Sequence, residues 1–524
     1  MATLRKMALS CALACTAIGG LYSGGAYAQS TSSKEKQDID ALKEQIQLLM
    51  KKVDELSAKQ ASTSDKQALM EQKVAAAPPV SDSHQFLERK AGDGITFLTR
   101  GGEVSLYGNL DISIDDTTKG ISGVQDVAGK GGWLPAISTN MSYVGIRGFQ
   151  DISDSPFKFL YQLETQIDVS ATSGTGDTNS NTSNTVKGGL TSRNSFIGIQ
   201  SAAMGAFKIG KTDAPYKTST ARMNPFSGML GDYSVIMGNT GGDNRVEFGT
   251  RLDHALWYES PNMHGFSFNA LISPGQNRGY DNSNIAAGES DCTGGNIPGS
   301  GATPAACNDG SYGSAYSASL SYTNGPLYLT AAYEKHKDVN RTSDLPTYDP
   351  NDIADEDAAK IGVQYKFPTK TTISAIYENM KRHVPAYLDY QNERSRSGYW
   401  LALSQELSAK DSVHFGWGHA NQATGDPGQH NTPGGLNSDN VANLYTVAWK
   451  HQVDKNFSTY VDYAMTANHG SAHYDLGAGG RGVTTDCHDA SNPDTSGFDP
   501  NGGSPHCFAG GKLQGVSAGM KYIF

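Results

Sequence analysis

The chain has 524 residues, 60 of them Gly, a formal net charge of −11, and only 37% hydrophobic residues. That composition excludes a bundle of membrane-spanning helices, each of which needs about 20 mostly apolar residues in a row. Basic runs interleaved with aromatics are absent, which argues against a nucleic-acid partner. Strands can still cross a membrane, because lipid-facing and water-facing residues alternate along them. The 25 Tyr and 17 Phe suit either such a barrel or a water-soluble all-β protein.

The first element is a secretory leader over residues 1–28. Arg5 and Lys6 supply its positive start, Met7 to Leu21 its apolar or small core, and Ala26-Tyr27-Ala28 a small-x-small cleavage site. Cys11 and Cys15 leave with it, and no lipid-anchoring cysteine is expected. Residues 29–77 then read as a periplasmic coiled-coil helix. Ile39, Leu42, Ile46, Leu49, Val53 and Leu56 alternate spacings of three and four, which is a heptad seam. So polar a helix is not stable alone in water, so it implies self-association in two or three strands, or else a charged tether. Pro78 and Pro79 end it, and 78–102 reads as a linker.

From Glu103 the period changes to two. In Val104 to Asp115 the even positions are apolar or Gly, and the odd ones from Ser105 are polar or Tyr. Similar segments recur at 140–150, 157–168, 190–200, 205–211, 251–259, 265–273, 313–322, 326–335, 358–367, 371–381, 397–407, 411–420, 441–451, 456–466 and 513–524. Tight turns such as Asn324-Gly325 alternate with long connections such as 116–139, 212–250 and 467–512. That alternation is the pattern of an outer-membrane barrel with turns at the periplasmic end and loops outside. The expected fold is all-β, a transmembrane antiparallel barrel of about 16 strands over 103–524, wide enough for an aqueous channel. In its last strand Val516, Ala518, Met520, Tyr522 and Phe524 share one face, so the chain ends on an aromatic suited to a lipid interface.

Four cysteines remain after the leader, and they allow three pairings. Proximity favours Cys292–Cys307 and Cys487–Cys507, both inside Gly/Pro/Asn/Asp-rich stretches. In an oxidising compartment each would staple a loop, worth about 3 kcal/mol. No C-x-x-C spacing points to a metal.

Several segments, in order, resemble the general Gram-negative porins of the β-proteobacterial type. They are Leu106-Tyr107-Gly108-Asn109-Leu110-Asp111, Gly145-Ile146-Arg147-Gly148, Gln162-Leu163-Glu164, Arg193 to Ile199, Gly205 to Lys211, and Tyr258 to Asn262. Each is weak alone; their shared order is specific. The heptad segment is not part of that pattern and resembles porins that carry a periplasmic coil. The resemblance implies an outer-membrane homotrimer of 16-stranded barrels, each with its third long loop, here 212–250, folded inward to narrow the pore. It also implies that Phe524 is the signal read by the barrel-assembly machinery.

In such a channel fixed charges at the narrowest point set selectivity. The acidic candidates on the inward loop are Asp232, Asp243 and Glu247. The wall candidates are Arg147, Lys211 and Arg251, with Glu259 adding a negative charge on strand six. Alternation puts Arg147, Arg251 and Glu259 in the lumen. It sends Lys211 outward with Phe207 and Ile209, and only the resemblance keeps it at the pore. Arg193 has the same phase problem and is left out. No G-x-S-x-G, H-E-x-x-H or phosphate loop suggests an enzyme, and no cofactor is implied. The leading function is passive diffusion of small polar solutes and ions. The alternatives are a channel preferring small organic anions and a structural barrel tethered by its coil toward the cell wall.

Overall fold

The computed structural model describes residues 51–52, 88–89, 95–118, 133–167, 169, 193–239, 248–274, 312–340, 353–384, 395–424, 439–469, 472, 474–477 and 512–524. The chain divides into two compact units, Met1–Gln85 and Phe86–Phe524. In the first, Lys51 and Lys52 are described and helical. The leader, the rest of the heptad segment and all four loop cysteines lie outside the described residues, as do Asp243 and Glu247.

The second unit is one sheet of nineteen described strands. They are β1 (Glu88–Arg89), β2 (Ile95–Thr99), β3 (Gly102–Thr117), β4 (Leu134–Thr139), β5 (Tyr143–Asp151), β6 (Lys158–Gln166), β7 (Ser195–Ser201), β8 (Gly205–Asp213), β9 (Arg251–Glu259), β10 (Phe266–Pro274), β11 (Ser314–Asn324), β12 (Leu327–Asn340), β13 (Ile353–Lys366), β14 (Thr371–Arg382), β15 (Arg396–Glu406), β16 (Asp411–Ala420), β17 (Ala442–Gln452), β18 (Phe457–Asn468) and β19 (Lys512–Ile523). All the pairings are antiparallel, and β19 pairs with β3, so the sheet closes on itself. Closure removes the exposed edges that an open sheet would carry.

The ring has sixteen staves, because β4 and β5 form one and β1 and β2 stand outside it. β4 pairs with the Ile112–Thr117 half of β3, and β5 with the Gly102–Asn109 half. The break between them falls at Met141, which takes φ 53°. There Asn140 Nδ2 donates to Asp111 Oδ1, Ser113 Oγ and Tyr460 Oη at 3.2, 2.8 and 2.8 Å. The sequence reading ran β4 into a loop, because Pro135 and the lack of alternation hide it. The linker reading of 78–102 also needs adjustment. β2 turns back at Gly101 (φ 81°) and lies on Gly102–Leu106, and β1 pairs with β2.

Alternation sorts the side chains as expected. On β3, Asn109, Asp111, Ser113, Asp115 and Thr117 are buried inside, while Ile114 is 66% exposed on the outer face. Outward Tyr333, Tyr377, Tyr399, Phe415 and Tyr445 belong to an apolar belt around the barrel. A belt that would be a liability in water suits contact with lipid.

The C-terminus seals the ring. Gly108 N donates to Phe524 O at 3.0 Å, and Phe524 N to Gly108 O at 3.1 Å. A Cβ at Gly108 would sit 2.7 Å from the Phe524 ring and 2.8 Å from Tyr143 O, so only glycine lets the terminal ring seat there.

Candidate channel lining and inward loop

After β8 the chain turns into the barrel. Pro215 starts a six-residue helix, α1 (Pro215–Thr220), where its missing N–H costs nothing. Two 3₁₀ turns follow, Ala221–Met223 and Tyr233–Val235. This is the segment expected to fold inward, and it does so. Met223, Phe226, Val235 and Ile236 are at most 2% exposed and pack against Ile376, Trp400, Leu444 and Tyr460 on the inner wall.

Polar pins complete the docking. Glu378, fully buried on β14, accepts from Tyr216 Oη at 2.6 Å and from Gly238 N at 2.8 Å, and so holds both ends of the loop. Trp400 Nε1 donates to Met223 O at 3.0 Å, and Tyr328 Oη to Ser219 O at 2.6 Å. Gly249 N donates to Glu334 Oε1 at 3.0 Å. Lys450 donates to Pro225 O, and Arg396 to Ile236 O and Asn239 O. The buried groups among these, such as Gly238 N and Met223 O, gain partners that burial would otherwise deny them. Burial, and then the Glu378 carboxylate, push the Tyr216 phenol well above its ordinary pKa.

The structure scatters the expected constriction residues. Arg147 lies on the inner face of β5, exposed, with its guanidinium 4.4 Å from the Tyr107 ring centroid. It pairs with Ser105 near the start of β3, in the half of the lumen nearer the short turns. Lys211 follows Gly210 (φ 142°) at a register shift between β8 and β9, where His254 also takes a positive φ of 51°. The extra residue resets the alternation. Lys211 therefore meets Asp253 at 2.8 Å, and Leu252 is buried against Tyr216 and Phe248. Arg251 pairs with Asp213 at 3.1 Å, and its Nε donates to Asn194 at 2.7 Å, at the root of the loop. Glu259 is at the opposite end of β9 and pairs with Lys208 at 2.7 Å.

Asp232 departs furthest from expectation. It is 5% exposed, and it accepts from Asn224 Nδ2, Gly228 N, Ser234 N and Ser234 Oγ at 2.8–3.0 Å. Its charge shapes the loop and is not presented to the pore. Arg222 is the exposed charge that sequence reasoning missed. It donates to Gln364 Oε1 at 2.9 Å and lies 4.3 Å from the Tyr328 ring centroid. Its partners are more than a hundred residues away, so no local pattern marks it. Arg193 pairs with Glu164 at 2.5 Å and is buried.

A closed barrel with an inward third loop has one further match. The family model for Gram-negative porins covers residues 12–471. The chain belongs to that family. It is an outer-membrane porin, a water-filled channel for passive diffusion of small hydrophilic solutes and ions. Among solved structures, the porin resembles the anion-selective porin from Comamonas acidovorans in fold. The TM-score is 0.53 at 17% identity, covering 81% of this chain and 100% of that one. An OmpF complex with daunomycin from Salmonella typhi gives 0.49 at 15% identity, covering 81% and 98%. OmpT of Vibrio cholerae gives 0.47 at 14%, covering 82% and 99%. No curated protein sequence matches the chain.

Proposed function

We propose that this porin is a trimeric, non-enzymatic diffusion channel with a weak preference for anions. The observation that carries the preference is the set of charges left open to the lumen. Arg147 on the wall and Arg222 on the loop are exposed, and neither has an ion-pair partner among the described residues. Lys208, Lys211 and Arg251 are matched by Glu259, Asp253 and Asp213. The carboxylate of Asp232 is engaged by the loop's own donors. Two guanidinium groups near the solute path raise the local anion concentration, an effect that salt screens.

The trimer rests on the outer face. On the outer face, the seam between β19, β3 and β4 carries the rung Ala518–Ile114–Ile137. Ile114 and Ile137 are 66% and 60% exposed, with no aromatic beside them in that rung. An aliphatic patch without the usual interfacial aromatics fits a protein neighbour better than a headgroup boundary. The purified protein in a planar bilayer under a salt gradient tests the reading. Conductance in groups of three with an anion-directed reversal potential is expected. A cation-directed potential that Arg147→Gln and Arg222→Gln do not move overturns the selectivity reading.

A further inference from the structure

The hydrogen bonds that pin the inward loop reach β11, β12, β14, β15 and β17. None of them reaches β5 to β7. On that wall alternation fixes the directions. Ile146, Phe159, Ile197 and Phe207 are exposed on the outer face, so Arg147, Leu160, Phe196 and Lys208 point into the lumen. One inward rung runs Arg147–Gln162–Phe196 across β5 to β7. The rung nearer the short turns runs Phe149–Leu160–Gly198–Lys208 and continues to β8. Phe149, Leu160 and Phe196 are half-buried. An apolar patch on a wall that otherwise faces water marks a binding surface.

Cations rim this patch. Lys158 Nζ lies 4.0 Å from the Phe149 ring centroid, and Lys208 Nζ 4.8 Å from that of Phe196. Both lysines are paired, with Asp151 at 3.3 Å and with Glu259 at 2.7 Å. Arg147 differs. It is exposed, and its guanidinium lies 4.4 Å from the Tyr107 ring centroid. Stacking on a ring occupies the flat face of a guanidinium and leaves its in-plane N–H groups to take a carboxylate in a fork. Of the acids around it, Glu164 is held by Arg193 at 2.5 Å and by Tyr107 at 3.0 Å. Glu103 stands beside Phe149 on β3, so its negative charge directs an anion toward the Leu160 side. Inward neighbours along a strand are about 6.7 Å apart and strands about 4.8 Å, which puts the Arg147 and Leu160 backbones roughly 8 Å from each other. One six-membered ring with its carboxylate suits that span.

We infer that the inner face of β5–β8 binds planar aromatic monocarboxylates, with the carboxylate on Arg147 and the ring on Phe149, Leu160 and Phe196. The inference rests on the reading of the protein as an anion-preferring diffusion channel. The full-length protein is titrated with benzoate, and with acetate and cyclohexanecarboxylate as controls for charge and for bulk. Binding is read by saturation-transfer NMR in detergent, and block of the open current in a planar bilayer. Benzoate should bind and block at millimolar concentration, cyclohexanecarboxylate more weakly, and acetate not at all. Arg147→Gln should weaken benzoate roughly tenfold, and so should the double variant Phe149→Ala, Phe196→Ala. Arg147→Lys should recover only part of the loss, because an ammonium offers no fork. Unheated gel mobility shows which variants fold; should the double variant not fold, the two Arg147 variants decide. Equal binding of acetate and benzoate reduces the patch to its charge and overturns the site. Equal binding of cyclohexanecarboxylate makes it merely apolar and also overturns it, as do folded variants that bind benzoate like wild type. A wild-type channel with an anion-directed reversal potential that neither binds benzoate nor is blocked by it loses the site and keeps the channel reading. Benzoate bound at Arg147 in a protein that does not conduct would keep the site and sink the channel reading.

Discussion

Glu378→Ala is the sharpest probe of how the inward loop is held. The substitution removes the shared acceptor for Tyr216 Oη and Gly238 N, at 2.6 and 2.8 Å, in a site with no solvent access. A hydrogen bond to a charged group contributes about 1.5–3 kcal/mol, and a buried donor left unpaired costs about 1–3 kcal/mol. Two such losses put the destabilisation of the docked loop at about 3–6 kcal/mol. The barrel wall itself is untouched, because the β13–β14 and β14–β15 ladders are backbone contacts. The hydrophobic seat around Phe226, Ile236 and Trp400 remains, so the loop should fluctuate and not leave altogether. Single-channel recording is the assay. Glu378→Ala should show a larger conductance and more open-channel noise than wild type, while its unheated gel mobility stays that of a folded barrel. Glu378→Gln keeps one acceptor oxygen and should fall between the two. A folded Glu378→Ala channel with wild-type conductance and noise would refute the claim that this carboxylate holds the loop.

Four other outcomes are expected. Gly108→Ala should displace the Phe524 ring and destabilise barrel closure by about 1–3 kcal/mol, read as a lower temperature for the heat-dependent gel shift. Asp232→Asn should leave the sign of the reversal potential unchanged, because the carboxylate faces the loop's own donors; a change of sign would place its charge in the pore. The Tyr216 phenol has a raised pKa in the folded state, so its contribution to docking is complete below its unfolded value of about 10 and is lost as pH rises beyond that. Open-channel noise should therefore grow above about pH 10, and Tyr216→Phe should remove that dependence. Deleting residues 34–76 should leave conductance unchanged if the heptad segment serves assembly or tethering; a changed conductance would tie it to the channel itself.

Much of the wall was legible because a period of two is a local property. The predicted segment 371–381 became Thr371–Arg382, and 441–451 became Ala442–Gln452. What alternation could not foresee was its own interruption. Gly210 and His254 carry the shift that turns Lys211 toward Asp253, and a positive φ at a histidine has no reliable sequence mark. The inward loop was expected from the resemblance to the porins, in which 212–250 occupies the position of the third long loop. The direction of each of its charges depends on partners far away. Asp232 looks like a pore acid until Gly228 N and Ser234 N are seen to surround it, and Arg222 drew no attention because Gln364, which fixes it, is 142 residues away.

The anchors of the inward loop also constrain the order of events during assembly. Tyr216 N meets Ser317 Oγ 101 residues on, Met223 O meets Trp400 177 residues on, and Pro225 O meets Lys450 225 residues on. Such distant contacts form only after the entropy of closing very large loops has been overcome. A nascent chain that has reached β10 has synthesised its narrowing element and the Leu252–Leu271 part of its seat, but not Ser317, Trp400 or Lys450. The throat of the channel therefore takes shape among the last events of folding, and a barrel stalled before β17 would be both unsealed and unfiltered.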